Sequence, residues 1–200
     1  MPAASGSEQT QDRVLTVPNV ISLARLGLIG VFLYLLLVAR ADGPAVVILM
    51  LSGASDWVDG KLARLLNQSS ALGALLDPAI DRLYMIAIPL AFGVRGLVPW
   101  AVIATLLARD LLLAATLPVL RSRGLTALPV TYVGKAGTFA LMSAFPLILL
   151  GQWDTLASRV VLSAGWGFLI WGLGMYLWAF VLYLLQVRLV VRTMPKVSGG

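Results

Sequence analysis

The sequence predicts an all-α protein: a polytopic membrane bundle of six transmembrane helices with short loops. Three observations carry that expectation. Hydrophobic residues make up 60% of the 200 and charged residues only 12%, more apolar surface than a soluble domain of this size can hide. The apolar residues gather into six runs, each near the roughly 20 residues that cross a bilayer. The stretches between the runs are too short to hold a second domain.

The elements follow in order. Residues 1–17 form a polar, Ser/Gln-rich lead expected to be disordered and then interfacial, with no basic n-region of a signal peptide. Residues 18–192 form one membrane domain, and residues 193–200 a C-terminal tail. Pro18-Asn19 supplies a helix start signal. The six expected spans are Val20–Val38, Ala45–Leu65, Ala79–Leu97, Trp100–Leu120, Val133–Leu150 and Val160–Val187. The second is apolar only to Leu51 and then turns polar and acidic, so that half should end among headgroups. The last is long enough to project beyond the membrane.

Orientation follows the basic residues. With the N-terminus inside, Arg13, Lys61, Arg64, Arg121, Arg123, Lys135, Arg188, Arg192 and Lys196 lie on the inner side. The outer loops hold Arg40, Arg95 and Arg159, offset by Asp42 and Asp154. The expectation is a multi-pass inner (plasma) membrane protein with a cytoplasmic N-terminus. The formal charge of +6 suggests anionic partners, phosphates or lipid headgroups, rather than nucleic acid. With no Cys and no His, thiol catalysis, thiolate metal sites and imidazole bases are excluded.

Nine acidic residues exist in the chain, and four of them, Asp56, Asp59, Asp77 and Asp81, fall within one short stretch. At about 100° per residue, Asp56, Asp59, Gly60, Ala63 and Arg64 share an arc of roughly 140° on one helix. Asp77 and Asp81 are four apart and share a face of another. A loop around Asn67 to Leu72 is expected between the two. Unpaired carboxylates cost about 3 kcal/mol apiece near a bilayer centre. Divalent cations remove that cost, and an all-oxygen set suits Mg²⁺ or Mn²⁺. A buried carboxylate–arginine network through Arg64 and Arg82 is the structural alternative.

The run Asp56-x2-Asp59-Gly60-x2-Ala63-Arg64-x8-Gly73-x3-Asp77-x3-Asp81 matches the signature of the CDP-alcohol phosphotransferase family without a departure. Pro18-Asn19-x2-Ser22-x2-Arg25 and Gly134-Lys135-Ala136-x-Thr138 resemble further family stretches. The resemblance implies a six-helix membrane bundle, a homodimer and a cytosol-facing site. It implies two divalent metal ions. Asp56, Asp59 and Asp77 would hold one, and Asp56, Asp77 and Asp81 the other. Asp81 would also be the general base. Gly60, Ala63, Arg64 and Gly73, with Ser70, would line the CDP-diacylglycerol pocket, and Asn19, Val20, Ile21 and Ser22 would touch the nucleotide. The reaction implied is attack by an alcohol on the lipid-side phosphorus of CDP-diacylglycerol, with CMP leaving. Metals neutralise the pyrophosphate, and Arg64 supplies a donor fork for phosphate.

The expected acceptor is an anionic alcohol. Glycerol 3-phosphate comes first, phosphatidylglycerol second and inositol phosphate third. Arg109, Arg121 and Lys135 are candidate acceptor contacts. Arg109 with Asp110 reads equally as a membrane-buried ion pair, and Arg25 either faces the site or snorkels. Gly165, Gly167, Gly172 and Gly174 suggest close helix packing, within one subunit or at a dimer seam. The contrasting class is a small divalent-cation transporter, which would place its acids near the midplane on repeated half-helices.

Overall fold

The computed structural model describes residues 17–66, 71–125 and 131–195, with side chains for 23–55, 79–125 and 131–195. Among the described residues the chain is all helix and turn. Helix α1 spans Val17–Leu33 and runs on through a π-helical turn, Tyr34–Val38; α2 spans Asp42–Leu66 and α3 Ala71–Val94. Helices α4, α5 and α6 span Trp100–Arg121, Tyr132–Leu150 and Leu156–Thr193.

Among the described residues three helices, α4, α5 and α6, are long and apolar enough to cross a membrane by length and composition. The described apolar stretches of the first two helices are shorter, Leu23–Val38 and Asp42–Ser55. Helix α6, at 38 residues, measures about 57 Å, well beyond the roughly 30 Å hydrocarbon core.

Helix α3 begins at Ala71, eight positions before the apolar run that the sequence marks at Ala79, and Leu72 lies inside it rather than in a loop. Backbone hydrogen bonds within a helix do not depend on apolar side chains. The acidic turn is therefore helical as well, and Gly73, Asp77 and Asp81 share one helix.

Caps explain where the later helices begin. The Thr131 hydroxyl accepts from the Gly134 N–H at 3.2 Å, and the Thr155 hydroxyl from the Ser158 N–H at 3.1 Å. Each satisfies a donor that a helix start leaves open. At the far end of α6, Arg123 in the α4–α5 connection donates to the carbonyls of Val190 and Met194, closing that terminus.

One cluster of buried residues lies near the α1–α2 and α3–α4 turns. Phe92 stacks on Phe32 at 6.5 Å and meets Phe145 edge-on at 5.0 Å, joining α1, α3 and α5. Beside it, Arg95 donates to Asp42 at 2.7 Å, so two charges expected in outer loops neutralise one another.

Helices α5 and α6 form an antiparallel hairpin with almost no space between backbones. A Cβ on Gly165 would lie 2.9 Å from the Ile148 nitrogen, and one on Gly172 2.9 Å from the Leu141 nitrogen. Gly137 meets the Tyr176 nitrogen at 3.0 Å. Two of the four glycines singled out in α6 therefore pack within the subunit. Gly167 and Gly174 have nothing within 4 Å.

Candidate functional site

The acidic motif divides between two helices. Helix α2 carries Asp56, Asp59, Gly60, Ala63 and Arg64; α3 carries Gly73, Asp77 and Asp81. Helix α1, which carries Asn19, Val20, Ile21 and Ser22, packs against both. Ser70 lies outside the described residues, as do the side chains of the other motif positions except Asp81.

Asp81 anchors the described part of the site. Arg25 Nη1 on α1 donates to Asp81 Oδ1 at 2.7 Å. The Arg25 side chain is 6% exposed and that of Asp81 58%. The buried cation thus comes from α1, and the carboxylate it orients stands open. This resolves the reading of Arg25: it faces Asp81.

A second polar group sits across from α3. Arg109 Nη1 donates to Asp110 Oδ1 at 2.9 Å. The Tyr176 hydroxyl of α6 donates to the same oxygen at 2.5 Å. The Arg109 guanidinium lies 3.9 Å from the centroid of the Tyr176 ring, close enough for cation–π attraction. Arg109 Nε is buried with no hydrogen-bond partner among the described residues. Tyr176 therefore holds both members of the pair, one by its edge and one by its face.

Between these two polar groups runs a groove of about 830 Å³, lined by α3, α4 and Tyr183 of α6. Asp81 and Arg82 border it on α3, and Arg109 and Asp110 on α4. Asp81 stands thirteen residues before the end of α3 and Arg109 nine after the start of α4. On an antiparallel hairpin these offsets put the two within about one helical turn of the same level. The rest of the lining is apolar, from Met85 on α3 to Leu117 on α4. Ile86 and Leu111 are exposed, so the groove opens sideways.

The other two cations considered for an acceptor lie elsewhere. Arg121 and Lys135 are exposed, and neither lines the groove. Lys135 Nζ is 5.8 Å from the Tyr132 ring centroid in the first turn of α5. Tyr176 and Tyr183 escape a sequence reading. The available signal was seven-residue spacing on one face of α6 and an aspartate in an apolar run that needed a donor.

Asp81 is the described member of the carboxylate quartet. Its exposed oxygen-donor side chain fits a hard divalent ion in character. Among the described residues no three potential ligands gather, and the other three aspartates lie outside them.

A sequence model of the family described as CDP-alcohol phosphatidyltransferase matches residues 15–178. A Mycobacterium tuberculosis protein provisionally named cardiolipin synthase is 65% identical over 95% of this chain and 91% of its own length. A Streptomyces coelicolor protein named cardiolipin synthase (CMP-forming) is 45% identical over 90% of this chain and 86% of its own. A Cereibacter sphaeroides protein named CDP-diacylglycerol–glycerol-3-phosphate 3-phosphatidyltransferase is 32% identical over 68% of this chain and 64% of its own.

Proposed function

The chain belongs to the CDP-alcohol phosphatidyltransferase family, and on that premise we propose that its acceptor is phosphatidylglycerol. The phosphatidyl group of CDP-diacylglycerol passes to the free glycerol hydroxyl, giving cardiolipin and CMP. The observation that carries this choice is the groove beside Asp81. Its ionised lining, Asp81, Arg82, Arg109 and Asp110, sums to zero, and its walls are otherwise apolar. Such a lining suits a phosphodiester of one negative charge better than a small dianion, which needs surplus cations. The two relatives of higher identity, both named for cardiolipin synthesis, point the same way.

Asp81 takes the proton of the attacking hydroxyl, and Arg25 holds its carboxylate in place. Asp56, Asp59, Asp77 and Asp81 would hold two divalent ions, Mg²⁺ or Mn²⁺. When bound they neutralise the pyrophosphate and the leaving CMP oxygens. Gly60, Ala63, Arg64, Ser70 and Gly73, with Asn19 to Ser22, receive the CDP end. Arg109 receives the acceptor phosphate. The protein spans the inner membrane six times as a homodimer, with this site toward the cytoplasm.

Glycerol 3-phosphate is the second reading, favoured by the name of the Cereibacter relative. It ranks first on the sequence alone, and the names of the relatives of higher identity support placing phosphatidylglycerol ahead of it here. The test is CMP release by the purified protein with CDP-diacylglycerol and each acceptor in turn. Cardiolipin from phosphatidylglycerol is the expected product. Radiolabelled glycerol 3-phosphate entering lipid, with phosphatidylglycerol inert, would establish the second reading instead.

A further inference from the structure

We infer that Asp110 sets the charge of the acceptor: its carboxylate, held at the groove wall by Tyr176, admits a phosphodiester of one negative charge and repels a phosphomonoester of two. The inference rests on the acceptor reading above and deepens it, because it names the side chain that makes the choice.

Three observations carry it. The first is which member of each ion pair faces outward. The Arg109 side chain is 14% exposed and that of Asp110 38%. Arg25 and Asp81 show the same order, at 6% and 58%. In both pairs the cation lies behind and the carboxylate stands forward. Asp81 and Asp110 both line the groove, so an entering anion meets two carboxylates ahead of the guanidiniums paired with them. The exposed Arg82 beside Asp81 offsets one of these charges.

The second is that Arg109 is already engaged. Its Nη1 donates to Asp110 Oδ1 at 2.9 Å, and its guanidinium lies 3.9 Å from the Tyr176 ring centroid. One arm of the fork that grips two phosphate oxygens in parallel is thus taken up by Asp110. A second negative charge on the ligand would fall to a cation that is already shared.

The third is that Asp110 is fixed from another helix. The Tyr176 hydroxyl of α6 donates to the same Oδ1 at 2.5 Å. To swing aside, the carboxylate would give up both donors and leave a hydroxyl short of its acceptor. The repulsion is therefore built in and does not relax when a ligand arrives. Between apolar walls it is felt more strongly than in water. A charge placed against the wrong ligand is a direct source of selectivity.

The test uses the purified full-length protein with CDP-diacylglycerol, Mg²⁺ and dihexanoyl-phosphatidylglycerol as acceptor. Two competitors are compared, glycerol 3-phosphate and its monomethyl ester. They are nearly equal in size. At about pH 8, above a second phosphate pKa of about 6, the first carries two charges and the ester one. In the wild type the ester should inhibit cardiolipin formation at the lower concentration. Asp110→Asn keeps an oxygen for Arg109 and Tyr176 and removes the charge. The ratio of the two inhibition constants should then move toward glycerol 3-phosphate by roughly tenfold or more, equivalent to about 1.4 kcal/mol. Asp110→Glu should keep the wild-type ratio. Tyr176→Phe, which frees the carboxylate but leaves its charge, should move the ratio less than Asp110→Asn does.

Equal inhibition by the two competitors in the wild type overturns the assignment without any variant, so a substitution that fails to fold does not rescue it. An unmoved ratio in folded Asp110→Asn protein overturns it as well. Wild-type protein that makes no cardiolipin and instead incorporates glycerol 3-phosphate overturns the acceptor reading, and the role of Asp110 with it. Cardiolipin formation with an unmoved ratio overturns the role of Asp110 alone.

Discussion

Arg25 and Asp81 meet at 2.7 Å with opposite exposures: the cation is buried in the α1 packing and the carboxylate stands open. A fixed guanidinium behind a carboxylate orients it. Arg25→Met keeps the bulk and removes the charge. The expected outcome is a loss of roughly 10²-fold in CMP release at saturating substrate. Arg25→Lys should recover part of it, since a charge remains without the fork. Identical rates in the two variants would remove Arg25 from any positioning role.

Tyr176→Phe separates the two contacts of that ring. The aromatic face stays beneath Arg109, while the hydroxyl that donates to Asp110 is lost. Leaving the Asp110 oxygen short of a donor should cost about 1–3 kcal/mol of stability. Thermal unfolding in detergent should show a clear drop, accompanied by a raised KM for the acceptor. An unchanged melting temperature would contradict the paired arrangement.

The glycines of α6 supply an internal control. Gly172→Leu drives side-chain atoms into the α5 backbone, where a Cβ alone meets the Leu141 nitrogen at 2.9 Å. A loss of at least about 1–3 kcal/mol is expected. Gly174→Leu, two residues on with nothing within 4 Å, should be nearly silent. Expression level and unfolding temperature of the two variants measured together decide the matter.

Chelation tests the ion requirement. Stripping divalent cations should abolish CMP release without changing helical content, and adding Mg²⁺ or Mn²⁺ should restore it. Full turnover in excess chelator would defeat the reading of the aspartates as metal ligands.

Much of this arrangement was legible in the residues. Apolar runs mark the helices to within about six positions, the start of α3 apart, because burial in lipid and burial in a bundle demand the same side chains. The start of α3 was not legible, since Asp77, Pro78 and Asp81 interrupt its apolar opening and a hydropathy reading begins only after them. Asp110 announced a need for a partner, but Tyr176 lies 66 positions later on another helix, and only the α4–α6 contact joins them. Gly165 and Gly172 share the spacing of Gly167 and Gly174, so no pattern within α6 separates the pair that meets α5 from the pair that does not. For Asp56, Asp59 and Asp77 the sequence remains the source of their assignment.

The grip of Tyr176 on Arg109 and Asp110 has a consequence for biogenesis. Helix α4 leaves the ribosome with two charges in its middle and no neighbour to shelter them, and each such charge is costly at the centre of an isolated span. Their ion pair within α4 offsets part of that cost, and the Tyr176 contacts arrive only after α6 has been made. A nascent chain halted before Leu156 should hold α4 poorly in the bilayer, and completion of the last helix then settles the fourth.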